Sequence, residues 1–265
     1  LALDSIGAVG GLSSPPPAPA SAPDRPLREQ TYPVDVEFNE SSPRHRLWAL
    51  PVLGFVAKGI ILIPHFICLL LLDLLAGVYT PQPTFQLIGA LSFGDVEAFS
   101  AWLVLLLIFS GAQSILWIPV LFGGKYPLWG YVLVGGLLRW TCRVSAFLLG
   151  LTDQYPPFSL KSGRDDRPFD VQVRIHVAER SSRLWAVPIL GWYVKVLALL
   201  PHWIILPLLW IAAGVSQLVL WLPVLVSRRY PAWGYRLVGG TLRWQTRVIA
   251  FQFGLTDRYP PFSLA

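Results

Sequence analysis

The chain has no methionine, only two cysteines and few charges: 14% of its 265 residues are Asp, Glu, Lys or Arg, against about 25% in an average soluble domain. A surface so poor in charge cannot be mostly wetted. The shortage is also local. No Lys or Arg stands between Lys58 and Lys125, a gap of 66 residues, or between Lys195 and Arg228, a gap of 32. A helix crossing a bilayer needs about 20 apolar residues, so each gap can hold a span. The net charge of +6 forms no dense basic run, which argues against nucleic acid as a partner. The Arg residues flank the apolar stretches instead, the juxtamembrane pattern of cytoplasmic segments. Cys68 and Cys142 lie in apolar context without CxxC spacing, so both read as small apolar fillers. GxSxG, Walker, HExxH and Cys–His nucleophile patterns are absent, and no enzyme is expected. Leu1–Leu12 has no basic residue ahead of a short apolar run, unlike a signal peptide.

What is present is a repeat. Leu121–Leu160 and Leu225–Leu264 are identical at 27 of 40 positions at a constant offset of 104. Upstream the offset is 137: Arg46-Leu47-Trp48-Ala49 matches Arg183-Leu184-Trp185-Ala186, Lys58 matches Lys195, and Pro64-His65 matches Pro201-His202. The difference is a 33-residue insertion in the first copy, within 68–104. Insertions are tolerated at loop tips, so each apolar block is expected to be a helical hairpin with its tip at the insertion point.

The expected architecture is an all-α membrane protein of two tandem repeats. Residues 1–30, rich in Pro and Ala, read as an extended arm, 31–160 as the first membrane repeat and 161–265 as the second. Spans are predicted near 51–79 and 99–122, with a short or re-entrant hairpin over 188–227; the rival for that last block is an interfacial helix followed by a single span from Pro201. Asp73 falls inside the first block, where it either pairs with an Arg or sits near the outer interface. PVDVEF (Pro33–Phe38) and FDVQVRIHV (Phe169–Val177) alternate as strands do, one per repeat, and pair with each other or with a partner's sheet. A segment after each Tyr-Pro, Trp129–Gly150 and Trp233–Gly254, carries Arg139 and Arg143 or Arg236, Arg243 and Arg247. Mid-bilayer Arg is costly, so these helices are placed in the interface. Their Arg side chains either reach plain head groups or grip anionic lipid or a partner's carboxylates.

The endings LTDQYPPFSL and LTDRYPPFSL, with the upstream GGxLRWxxRVxAF, the Pro-His and the Arg-Leu-Trp-Ala segment, resemble a bacterial membrane family classified only as a domain of unknown function. The resemblance covers roughly Tyr32 to Leu264. It implies a bacterial membrane protein and brings no assigned reaction or catalytic residue. From the residues themselves, His65 and His202 are the candidate cofactor ligands, for a haem or chlorin, against a neutral hydrogen-bonded role that needs no cofactor. Asp153 and Asp257 read as helix-end residues bonding local backbone or an Arg. The expected function is a non-catalytic accessory or scaffold subunit of a membrane complex, multi-pass in the inner membrane with its polar segments cytoplasmic. Its partners would be lipids and other membrane subunits. The alternative is a module binding lipid, quinone, pigment or haem.

Overall fold

The computed structural model describes residues 32–50, 52–75, 115–161, 169–176, 180–187 and 190–265. The arm over 1–30, most of the insertion and the side chain of Asp73 lie outside the described residues. In chain order come β1 (Val34–Phe38), a 3₁₀ turn (Arg46–Ala49), α1 (Leu53–Leu75), helical residues 115–123 and α2 (Leu128–Leu148). Then follow β2 (Val171–Ile175), a second 3₁₀ turn (Arg183–Ala186), α3 (Leu190–Ala198) and α4 (Leu200–Ser227). The last helix, α5, is Ala232–Gly234, a π-helical stretch Tyr235–Gly239 and Gly240–Gln252. The described chain is mostly helical, with one two-stranded sheet.

The two alternating segments do pair with each other. β1 and β2 are antiparallel, with Val36 opposite Val173 at the centre, the two positions that the 137 offset aligns. Val34, Val36, Val171, Val173 and Ile175 form its buried face, which rests on α2 and α5. That support is required, because an isolated two-stranded ribbon is marginal in water.

The hairpin expected over 188–227 is not there. α4 is one helix of 28 residues, about 42 Å long at 1.5 Å per residue. Pro201 stands in its first turn, where a missing N–H costs nothing, and Pro207 and Pro223 lie inside it without ending it. Its buried residues His202, Trp203, Leu206, Ala213, Leu220 and Val224 fall, apart from the adjacent first two, at spacings of three, four and seven, one stripe of a helix, and it packs along α5. In the first block α1 buries Lys58, Leu62, His65 and Leu69 and packs on α2. Leu53–Leu72 and Leu200–Ser227 are both long and apolar enough to cross a membrane, and in an apolar 18-residue stretch of each only 22% is buried. The core helix of a soluble protein would be mostly covered; these present apolar side chains outward, among them Ile60, Phe66 and Leu70 on α1 and Ile204, Ile211 and Leu218 on α4.

The N-terminal and C-terminal parts of the described chain are interlaced. α4 starts beside its own half's Lys195 and ends on the other half: Arg228, its left-handed C-terminal cap at φ 57°, accepts at its carbonyl the Arg44 N–H at 2.8 Å. At the matched position Gly124, φ 66°, accepts the Ser181 N–H at 2.9 Å. Helical residues 115–123 therefore run toward the second half, where the Tyr126 hydroxyl donates to the Phe253 carbonyl at 3.1 Å. Between them α2 and α5 pack together, with the Thr246 hydroxyl 4.0 Å from the Cys142 sulfur; these two positions are also related by the 104 offset. Cys142 is buried and free, its thiol pushed up to about 12 by burial. Cys68 is half-buried and free.

Candidate functional site

Two polar clusters recur at matched positions. In the first half Lys58, 2% exposed, lies 3.6 Å from the Asp153 carboxylate, which also accepts the His45 backbone N–H. In the second, Lys195, 1% exposed, lies 4.0 Å from Asp257, which accepts the Ser182 N–H. His45 and Ser182 are themselves separated by 137. Each ammonium also sits over aromatic rings: Trp48 and Phe147 around Lys58, Trp185, Phe251 and Trp117 around Lys195. A buried cation needs such partners. The expectation for the two Asp residues is corrected in its partner. Each bonds backbone that is remote in sequence and pairs with Lys, because the LTD turn folds back onto the start of α1 or α3.

Burial lowers the Lys195 ammonium from 10.5 to about 8, with Asp257 opposing the shift. Between those values the unfolded chain binds more protons than the folded one, so this group makes stability rise with pH from about 8 to 10.5. Lys195→Met keeps the apolar stem and removes the charge. The difference in thermal stability between wild type and variant, followed in detergent across that window, is expected to grow with pH in favour of wild type. Parallel curves would contradict the assignment.

The two histidines are fully buried, each in a matched aromatic cage. The Trp140 indole N–H donates to His65 Nδ1 at 2.9 Å and the Trp244 N–H to His202 Nδ1 at 2.8 Å. Phe158 stacks on His65 at 3.7 Å and Phe262 on His202 at 4.0 Å, with Tyr155 and Tyr259 beside them. An Nδ1 that accepts a hydrogen bond requires the proton on Nε2. In both rings Nε2 is buried without a hydrogen-bond partner. The Trp and Phe residues that build these cages carry no chemical signature of their own in the sequence beyond their recurrence at the 104 offset.

Four of the five arginines are turned into the protein. Arg139, Arg143 and Arg247 are buried and Arg243 is half-buried. They face the ribbon and the tails. Arg139 Nε donates to the Val173 carbonyl at 3.4 Å, Arg243 Nε to Val36 at 2.9 Å and Arg247 Nε to Val34 at 3.3 Å. These carbonyls belong to the pairs that point outward from a ribbon. The guanidinium groups thus do what a third strand would do at each edge. Arg143 Nη1 reaches the Lys161 carbonyl at 3.4 Å and its guanidinium covers the Phe169 ring. Arg247 also binds Ala265 and pairs with Asp35 at 3.4 Å. Arg236 alone of the five is exposed. It lies in the π-helical stretch, whose wider turn breaks the helical phase linking it to Arg243 and Arg247.

Among the described residues no group of three His, Cys, Asp or Glu side chains could hold a metal. No curated protein and no solved structure matches the chain. Residues 190–263, which carry α3, α4, α5 and with them Lys195, His202, Trp244, Asp257 and Phe262, match the model of a family described as a domain of unknown function (DUF4389).

Proposed function

We propose that the chain is a non-catalytic accessory or scaffold module of a bacterial membrane complex. In this reading it consists of two matched halves closed on one another about an approximate two-fold axis through the centre of the ribbon and the Cys142–Thr246 contact. The observation that carries the reading is where the polar groups are spent. The buried lysines Lys58 and Lys195 meet carboxylates and rings, Arg139, Arg143, Arg243 and Arg247 meet strand and tail carbonyls, and the Trp140 and Trp244 indoles meet imidazoles. The outer faces of α1 and α4 are left as broad apolar surfaces to offer a partner. Inner-membrane residence with the polar segments cytoplasmic rests on the clustering of Lys and Arg outside the apolar blocks. Extraction of the endogenous protein from native membranes in mild detergent tests the function. It is expected to migrate well above its own 29.5 kDa with defined copurifying subunits, and a lone monomer would overturn the proposal.

A further inference from the structure

A cavity of about 400 Å³ opens between the start of α1 and the C-terminal half of α4, within the range of small-molecule sites. Its polar end is formed by Arg44, Lys58 and Asp153, and its walls by Phe55, Val56, Leu218 and Trp221. The matched place beside Lys195 and Asp257 holds only about 10 Å³, room for at most one water. One difference is a matched pair of tryptophans. Trp117 covers Lys195 at 4.8 Å, whereas the matched Trp221 lines the open cavity and donates to Leu218 of its own helix at 2.8 Å.

The open site also has unspent donors. Arg44 is 3% exposed, and its Nη2 serves the carbonyls of Asn39 and Leu151 and the Tyr235 hydroxyl. Its Nε and Nη1 are buried without a hydrogen bond; the 3.7 Å from Nη1 to Asp170 is too long for one. The carboxylates nearby are occupied. Asp153 takes Lys58 and the His45 N–H, and Asp170 takes Asn39, Ser42 and Thr152. An occupant that engages these Arg44 donors brings acceptors at one end and apolar surface at the other.

We infer that this cavity binds an anionic amphiphile, its carboxylate or phosphate oxygens on Arg44 and Lys58 and an aliphatic chain between α1 and α4. This goes beyond the scaffold role and does not rest on it. Substituting Arg44 would also strip Leu151 and Tyr235 of their donor, so the test fills the cavity from its wall. A side chain at Gly214 meets open space inside the cavity lining. Gly59 is equally unobstructed and is not among the lining residues, which makes it the control.

Purified full-length protein is photolabelled with a diazirine-bearing fatty acid, a phosphatidylglycerol with the same labelled chain, and the corresponding neutral fatty alcohol. At least one anionic probe is expected to label Phe55–Val56 and Leu218–Trp221. That labelling falls about tenfold, or ~1.4 kcal/mol, in Gly214→Phe and persists in Gly59→Phe, while the alcohol labels weakly. Which anionic probe succeeds tells a free acid from a phospholipid. Labelling spread evenly over α1 and α4, equal with the alcohol, or indifferent to Gly214→Phe would overturn the inference.

Discussion

Asp257→Ala is expected to lower stability by about 3 kcal/mol at neutral pH, the sum of a lost bond to a charged group at ~1.5 and neutralisation of its partner at ~1.4. The variant leaves Lys195, 1% exposed, with only the Phe251 carbonyl at 3.0 Å and three rings. An uncompensated buried charge is among the costliest defects a fold can carry. The ceiling comes from the ammonium itself: burial has already brought it to about 8, so shedding its proton is the cheaper escape. Adding Lys195→Met removes the stranded charge and is expected to recover the Lys195 share, about half of the loss. Asp153→Ala should cost less, because Lys58 lines the open cavity, into which its ammonium can turn once the carboxylate is gone. Thermal unfolding of the three variants in one detergent checks the order. Equal losses for Asp257→Ala and the double variant would show that the carboxylate acts through Ser182 and not through Lys195.

Gly136→Val is expected to cost about 3 kcal/mol by overpacking. A Cβ at Gly136 would stand 2.6 Å from Leu160 Cβ and 2.8 Å from its carbonyl oxygen, and at the matched Gly240 one would stand 2.6 Å from the Leu264 carbonyl. The two ends of the recurring motif thereby explain each other. The helix offers a bare backbone at its second glycine, and the YPPFSL tail lies across it. The tail also carries Phe158 onto His65, so a displaced tail opens the imidazole cage. Limited proteolysis should cut near residues 155–161 in Gly136→Val at protease concentrations that leave wild type intact. Unchanged tail protection, even with lowered stability, would count against the packing described.

Most of the fold's pairing was legible because it recurs. The two alternating segments aligned at one offset, and the strands pair in the register centred on that alignment. The recurrence also marked His65, His202, Asp153 and Asp257, all of which fall in the clusters. Three things were not legible. Lys58 and Lys195 looked like flanks of apolar blocks, because their carboxylates lie far along the chain and only the fold brings them together. The Arg stripe looked interfacial, since a charged helix face against lipid head groups and one against strand carbonyls have the same periodicity. The hairpin expected over 188–227 assumed that each copy closes on itself. α4 instead leaves its own half and ends on the other, with Arg228 bonded to Arg44, so a single helix joins the two matched sites.

That exchange is the central claim, and splitting the chain tests it most directly. Residues 32–161 and 169–265 are co-expressed as separate polypeptides, with an affinity tag on the first only. Each half buries its Lys–Asp cluster partly under helix supplied by the other, and the ribbon takes one strand from each. The tagged half is therefore expected to retrieve the untagged half from detergent extract in a one-to-one complex, with each alone degraded or aggregated. Two halves that extract separately as stable, protease-resistant monomers and do not associate would contradict the account.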